Sequence, residues 1–133
     1  MRPRLLLDTH IVLRWMIEAS RLSRVQYKAL ESAVQRAEPV ALSAMTLLEI
    51  ALLVSDKRLE LPTNIDDFFN ELKALTLFQV LPLTYEVASE IAPLRALKDP
   101  ADRAIVATAR VHRLQLVTSD QRIIESGLVA VIE

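Results

Sequence analysis

The stretch Arg4-Leu5-Leu6-Leu7-Asp8-Thr9-His10 decides how the rest of the chain is read. Three consecutive leucines between polar residues are too short for a helix and fit a strand buried on both faces. Asp8 then stands at the carboxyl end of that strand. In open α/β sheets this is the edge where ligands and chemistry collect.

From this stretch onward, segments of strand and helix character alternate. Ile11, Val12, Trp15 and Met16 have helical spacing within Thr9–Glu18. Ser23 opens a second helix that runs to about Ala37, with Gln26 at the capping-box position. Val40-Ala41-Leu42 is a short strand ending on Ser43, which caps a helix from Met45 to Val54. That helix is apolar on nearly every side and is expected to be buried. A fourth helix follows Pro62, with Thr63 and Asp66 in capping-box spacing and Phe68, Phe69 and Leu72 inward.

Leu77–Leu83 reads as a strand with Pro82 at its end or on an edge. Tyr85–Leu97 reads as a helix kinked at Pro93. Asp99-Pro100 suits a cap with proline at the first helical position, ahead of an apolar helix through Val111. Gln115–Thr118 is a strand, a short helix runs from Asp120 through Ile124, and Gly127 stops it as a C′ residue. Val129–Ile132 closes the chain as a last strand. This rhythm predicts a three-layer α/β/α domain over residues 1–133, with a parallel sheet of about five strands.

Composition narrows the chemistry. No cysteine and only two histidines, His10 and His112, leave no thiolate nucleophile, no disulfide and no His-rich metal centre. A metal held here has oxygen ligands, which points to a hard cation such as Mg²⁺ or Mn²⁺. Gly127 is the only glycine, so there is no glycine-rich phosphate loop. The longest apolar run, Leu47–Val54, carries Glu49 and is far too short to span a bilayer, and the first residues are too short for a signal peptide; a cytoplasmic protein is expected.

The net charge of −1 hides a division. Residues 1–36 hold seven Lys/Arg against three acids, 37–94 three against nine, and 95–122 six against three. Four of the six acids in the basic flanks are Asp8, Asp99, Asp102 and Asp120.

Asp8, Asp99 and Asp120 each also fit an N-cap. Glu49 does not, since it lies inside a helix among Leu47, Leu48, Ile50, Ala51, Leu52 and Leu53 with no basic residue three or four positions away. An unpaired carboxylate in apolar surroundings costs several kcal/mol unless a cation neutralises it. Asp102, ahead of Ala104-Ile105-Val106-Ala107, poses the same problem in milder form. A doubly wound sheet can bring Asp8, Glu49, Asp102 and Asp120 to one edge, where their mutual repulsion favours a bound divalent ion.

Leu6-Leu7-Asp8-Thr9-His10, Ser43 through Ala51, Asp99 through Ala109 and Leu116-Val117-Thr118-Ser119-Asp120 together resemble the PIN domain, and more narrowly the VapC-type ribonuclease toxins of toxin–antitoxin pairs. The resemblance spans the chain, its motifs in order; Ala101 departs from it where a bulky residue such as Phe is common. It implies a Mg²⁺- or Mn²⁺-dependent endoribonuclease in which metal-activated water cleaves RNA, leaving a 5′-phosphate and a 3′-hydroxyl. The metal-binding and catalytic acids fall on Asp8, Glu49, Asp102 and Asp120, with Asp99, Thr9 and Thr118 in supporting roles. It also implies an antitoxin partner and a homodimer.

Arg14, Arg103 and Arg110 are candidates for the RNA backbone, alongside Arg21, Arg24, Lys98 and Arg113. The helices Thr9–Glu18 and Ser23–Ala37 offer apolar surface to an antitoxin helix or a second subunit. His10 is expected to point away from Asp8 in a structural or surface role, and Trp15, Phe68 and Phe69 to be core or interface anchors. A phosphatase using the first-strand aspartate would want a second Asp at position 10, which is His10. A non-cleaving PIN-like or receiver-like module remains the alternative, and whether four acids hold one ion or two stays open.

Overall fold

The structure is a computed structural model that describes residues 1–133. The elements in order are β1 (Leu5–Leu7), α1 (Thr9–Ile17), a 3₁₀ turn (Ala19–Arg21), α2 (Arg24–Gln35), β2 (Val40–Ser43), α3 (Ala44–Ser55) and α4 (Ile65–Ala74). They continue with β3 (Phe78–Leu81), α5 (Tyr85–Ile91), α6 (Pro100–His112), β4 (Gln115–Val117), α7 (Gln121–Ser126) and β5 (Val131–Ile132). All five strands join one parallel sheet in the order β3-β2-β1-β4-β5. The three-layer α/β arrangement expected from the sequence is present.

β1 is the central strand because its residues serve both faces. Leu5 and Leu7 pack with Ile11, Val12, Leu30, Ile50, Phe68 and Leu72 on one side. Leu6 packs with Ile105, Val106, Leu116 and Ile123 on the other. Successive strand side chains point to opposite faces, so three leucines in a row anchor two helical layers at once. Burying each completely, as Leu6 and Leu7 are, contributes about 2 kcal/mol.

The chain leaves β1 towards β2 and β3, then returns to the other side of β1 for β4 and β5. The direction of winding therefore reverses between β1 and β4, the switch point at which open sheets form a crevice beyond their carboxyl ends.

Local signals explain most boundaries. Ser23 and Gln26 close a full capping box on α2. Asp99 caps α6 with Pro100 at its first position, and Gly127 ends α7 at φ 66°. Three expectations need correction. α4 is capped by Asn64, whose side chain accepts the Asp67 N–H at 2.8 Å, rather than by Thr63. α5 stops at Ile91, because Pro93 ends the helix instead of kinking it.

The third correction concerns α3, which is not a buried helix. Thr46 and Ile50 are buried, but Leu48 and Leu52 are 48% and 53% exposed. α6, α1 and β2 cover one side, and the other is left as apolar surface. No helix is long and apolar enough to cross a membrane.

Candidate functional site

The crevice at the switch point holds the acids. A cavity of about 190 Å³ is lined by Asp8, Glu49, Asp99, Asp102 and Asp120, with Thr9, His10, Leu13, Leu53 and Arg122. A cleft of about 780 Å³ lies elsewhere, walled mainly by apolar side chains such as Trp15, Met16, Leu77 and Phe78. Its one acid, Glu38, is paired with Arg4 and Arg36 at 3.1 and 3.2 Å. Size therefore does not select the site; the unpaired carboxylates do.

Asp8 is placed by the end of β1. Its backbone N–H donates to the Val117 carbonyl at 3.0 Å, so the ladder with β4 continues one residue past the strand. Its Oδ1 accepts the Thr9 N–H at 2.9 Å, and its Oδ2 accepts the Thr118 hydroxyl at 2.6 Å. The same Thr118 oxygen accepts the Asp120 N–H at 3.0 Å. One buried hydroxyl thus ties the end of β1 to the turn after β4.

Asp120 Oδ1 in turn caps α7, accepting the Arg122 N–H at 2.9 Å and the Ile123 N–H at 3.4 Å. Asp99 Oδ1 accepts the Ala101 and Asp102 N–H groups at the start of α6. Asp8, Asp99 and Asp120 are all N-caps, each accepting backbone N–H groups at the start of a helix.

Glu49 and Asp102 have neither a cap role nor an ion pair. Glu49 sits midway along α3 and is half-buried. Burial chiefly raises its pKa, the Thr9 hydroxyl works the other way, and Asp8 and Asp99 add to the rise. Asp102, at the third position of α6, is pushed up to about 7 by burial first and then by Asp99, Asp8, Asp120 and Glu49. Both carboxyls stand where a negative charge lacks a counterion.

No three of the chain's Asp, Glu and His side chains are close enough together to share one ion as they stand. Mg²⁺ commonly binds through one or two carboxylates while keeping several waters, so a site for it does not require three side chains in one sphere. A pocket lined by five carboxylates with no cysteine suits a hard divalent cation.

His10 points towards Asp8, not away from it. Its Nδ1 is 3.4 Å from Asp8 Oδ2, and its Nε2 accepts the Ser119 N–H at 2.9 Å. A backbone N–H can only donate, so Nε2 carries no proton and Nδ1 faces the carboxylate with one. Burial lowers the His10 pKa, with Asp8 opposing the shift, and the ring is held neutral as a strut between two elements.

The three arginines singled out for RNA fall in different places. Arg14 Nη1 reaches Ser119 Oγ at 3.4 Å, on the turn that carries Asp120. Arg103 donates through Nε to the Leu97 carbonyl and so braces the loop before α6. Arg110 binds Glu90 and the Leu128 carbonyl, both at 2.6 Å, and lines a separate cleft. The basic residue that does line the acid pocket is Arg122, with Nη2 3.5 Å from Asp120 Oδ2. Sequence reasoning passed it over; its only signal is its place two residues after Asp120.

This architecture has known counterparts. The family model of the PIN domain matches residues 5–127. Ribonuclease VapC22 of Mycobacterium tuberculosis is 32% identical over 120 residues, covering 89% of this chain and 88% of that protein. Among solved structures, FitAcB from Neisseria gonorrhoeae superposes with a TM-score of 0.71 at 27% identity, over 97% of this chain and 96% of that one. A toxin–antitoxin complex from Klebsiella pneumoniae gives 0.66 at 26% identity, over the same shares. The chain belongs to the PIN domain family, and within it is similar to VapC.

Proposed function

We propose that this protein is a Mg²⁺- or Mn²⁺-dependent endoribonuclease and the toxin of a toxin–antitoxin pair. The observation that carries the proposal is the set of five carboxylates at the β1/β4 switch point, two of which lack any counterion. The similarity to a ribonuclease named VapC and to a toxin–antitoxin complex supports the choice of substrate and biological role.

Asp8, Glu49, Asp102 and Asp120 would hold the cation, with Asp99 at the rim. A divalent ion bound among them lowers the pKa of a water and neutralises charge growing on a phosphoryl oxygen. The residues themselves supply placement. Thr9 N–H and the Thr118 hydroxyl fix both oxygens of Asp8, leaving the carboxylate little freedom to rotate. Arg122 lines the pocket, Arg14 reaches the Ser119 turn that leads to Asp120, and both would meet the RNA phosphates. Leu13 and Leu53 are its two apolar lining residues.

Exposed apolar side chains support protein partners. Val25, Tyr27 and Val34 lie outward on α2, and Leu48 and Leu52 on α3. An antitoxin helix and a second copy of the chain are the proposed occupants of such surfaces.

Purified protein should cleave RNA with Mg²⁺ or Mn²⁺ and not with EDTA, and Asp8→Asn should abolish cleavage. In cells, induced wild-type protein should stop growth and Asp8→Asn or Glu49→Gln should relieve the arrest. Arrest that survives both substitutions would sink the nuclease assignment and favour a non-cleaving module.

A further inference from the structure

Gln26 lies at the third position of α2, is fully buried, and has more hydrogen bonds than helix capping uses. Its Oε1 accepts the Ser23 N–H at 2.9 Å, which is the capping-box bond. A glutamate would make that bond equally well. The amide nitrogen does something else: Nε2 donates to Ser119 Oγ at 2.8 Å and to the Thr118 carbonyl at 3.3 Å. Both acceptors belong to the turn between β4 and Asp120.

That turn is gripped from two sides. His10 Nε2 accepts the Ser119 N–H, and Gln26 takes the Ser119 hydroxyl and the Thr118 carbonyl. Between them the Thr118 hydroxyl joins Asp8 Oδ2 to the Asp120 N–H. Of the side chains that hold this turn, Asp8 and His10 line the pocket, and Gln26 reaches it from outside, through the Thr118 carbonyl and the Ser119 hydroxyl.

We propose that Gln26 is a positioning residue for the carboxylate site, setting the Asp8–Asp120 spacing from the body of α2 through the Thr118-Ser119 turn. The proposal rests on the nuclease reading above for its catalytic consequence, but not for its effect on cation binding.

Gln26→Glu separates the two roles, since it keeps the cap acceptor and loses both donors to the turn. Gln26→Met, of similar volume, guards against an effect of the buried charge. Mn²⁺ binding to RNA-free protein is measured by titration calorimetry, kcat and KM on RNA separately, and Tm in EDTA. We expect Mn²⁺ affinity to fall about 10-fold in both variants, the usual scale for losing a group that orients a metal ligand. The fall should come with a comparable loss in kcat, KM within about twofold, and restoration of neither parameter at lower temperature.

Folded variants with wild-type Mn²⁺ affinity and kcat would overturn the proposal. So would losses that track Tm and recover on cooling, which would mark Gln26 as a packing and capping residue only. Wild-type protein that binds Mn²⁺ without cleaving RNA refutes the nuclease reading alone, and the calorimetry still decides Gln26. Wild-type protein that binds no Mn²⁺ refutes both.

Discussion

Asp102→Asn should stabilise the metal-free protein at alkaline pH while destroying its function. In the folded state the Asp102 carboxyl is raised from 3.8 to about 7, by burial first and then by Asp99, Asp8, Asp120 and Glu49. Between about pH 4 and 7 the folded protein keeps a proton that the unfolded chain has released. Stability contributed by this group is therefore present at low pH, falls as pH rises through that window, and levels off above 7. Three pKa units at 1.36 kcal/mol each set a ceiling of about 4 kcal/mol. Asp102 is only half-buried and the pocket opens to water, so screening leaves about 1–2 kcal/mol.

For a chain of 133 residues that difference is worth about 4–7 °C in Tm. Calorimetry in EDTA from pH 5 to 8 reads it directly. Relative to wild type, Asp102→Asn should gain from pH 5 to about 7, level off, and lie higher at pH 8. Adding Mg²⁺ should reverse the order, because only wild type has the carboxylate that a bound cation repays. Parallel Tm profiles for the two proteins over this range would refute the account of Asp102 as a strained, counterion-seeking group.

Two further outcomes follow from side-chain placement. Arg122→Gln should raise KM for RNA several-fold and reduce the salt dependence of binding by about one phosphate contact, whereas Arg110→Gln should leave KM unchanged and cost about 1 kcal/mol of stability through Glu90 and Leu128; the contrast is read from kinetics at two salt concentrations with parallel melts. Lys57, exposed just past the end of α3, has φ 56°, a left-handed conformation that costs a non-glycine residue about 1 kcal/mol; Lys57→Gly should raise Tm by about 3–4 °C with unchanged cleavage.

What the sequence made readable was mainly what depends on residues near in the chain. Leu5-Leu6-Leu7 could be recognised as a central strand because alternation on a strand needs only three residues to address both faces. Caps at Ser23, Asp99, Asp120 and Gly127 are local hydrogen bonds or local dihedrals, and they were readable for that reason. The direction of His10 was not. Side chains at the start of a helix lean back towards its N-terminus, so the second residue of α1 folds over Asp8 instead of leaving it. The long arginines were also opaque, because a flexible four-atom stem lets Arg110 reach Glu90 and Leu128 with no periodic trace.

Glu49 does not sit in a buried helix, since α3 exposes Leu48 and Leu52, so its surroundings alone do not demand a cation. An all-apolar helix reads the same whether the sheet or another molecule covers it. Glu38 offers a different comparison. Glu38 is 2% exposed, more deeply buried than Glu49 or Asp102, and the fold meets its charge with Arg4 and Arg36. Arginine was therefore available as a solution to a buried carboxylate in this chain. At the β1/β4 edge, Arg122 reaches only Asp120 and leaves Glu49 and Asp102 without a partner. Burial alone does not mark a ligand; the mark is a carboxylate whose charge this fold, able to pair Glu38 twice, leaves for something outside the chain to neutralise.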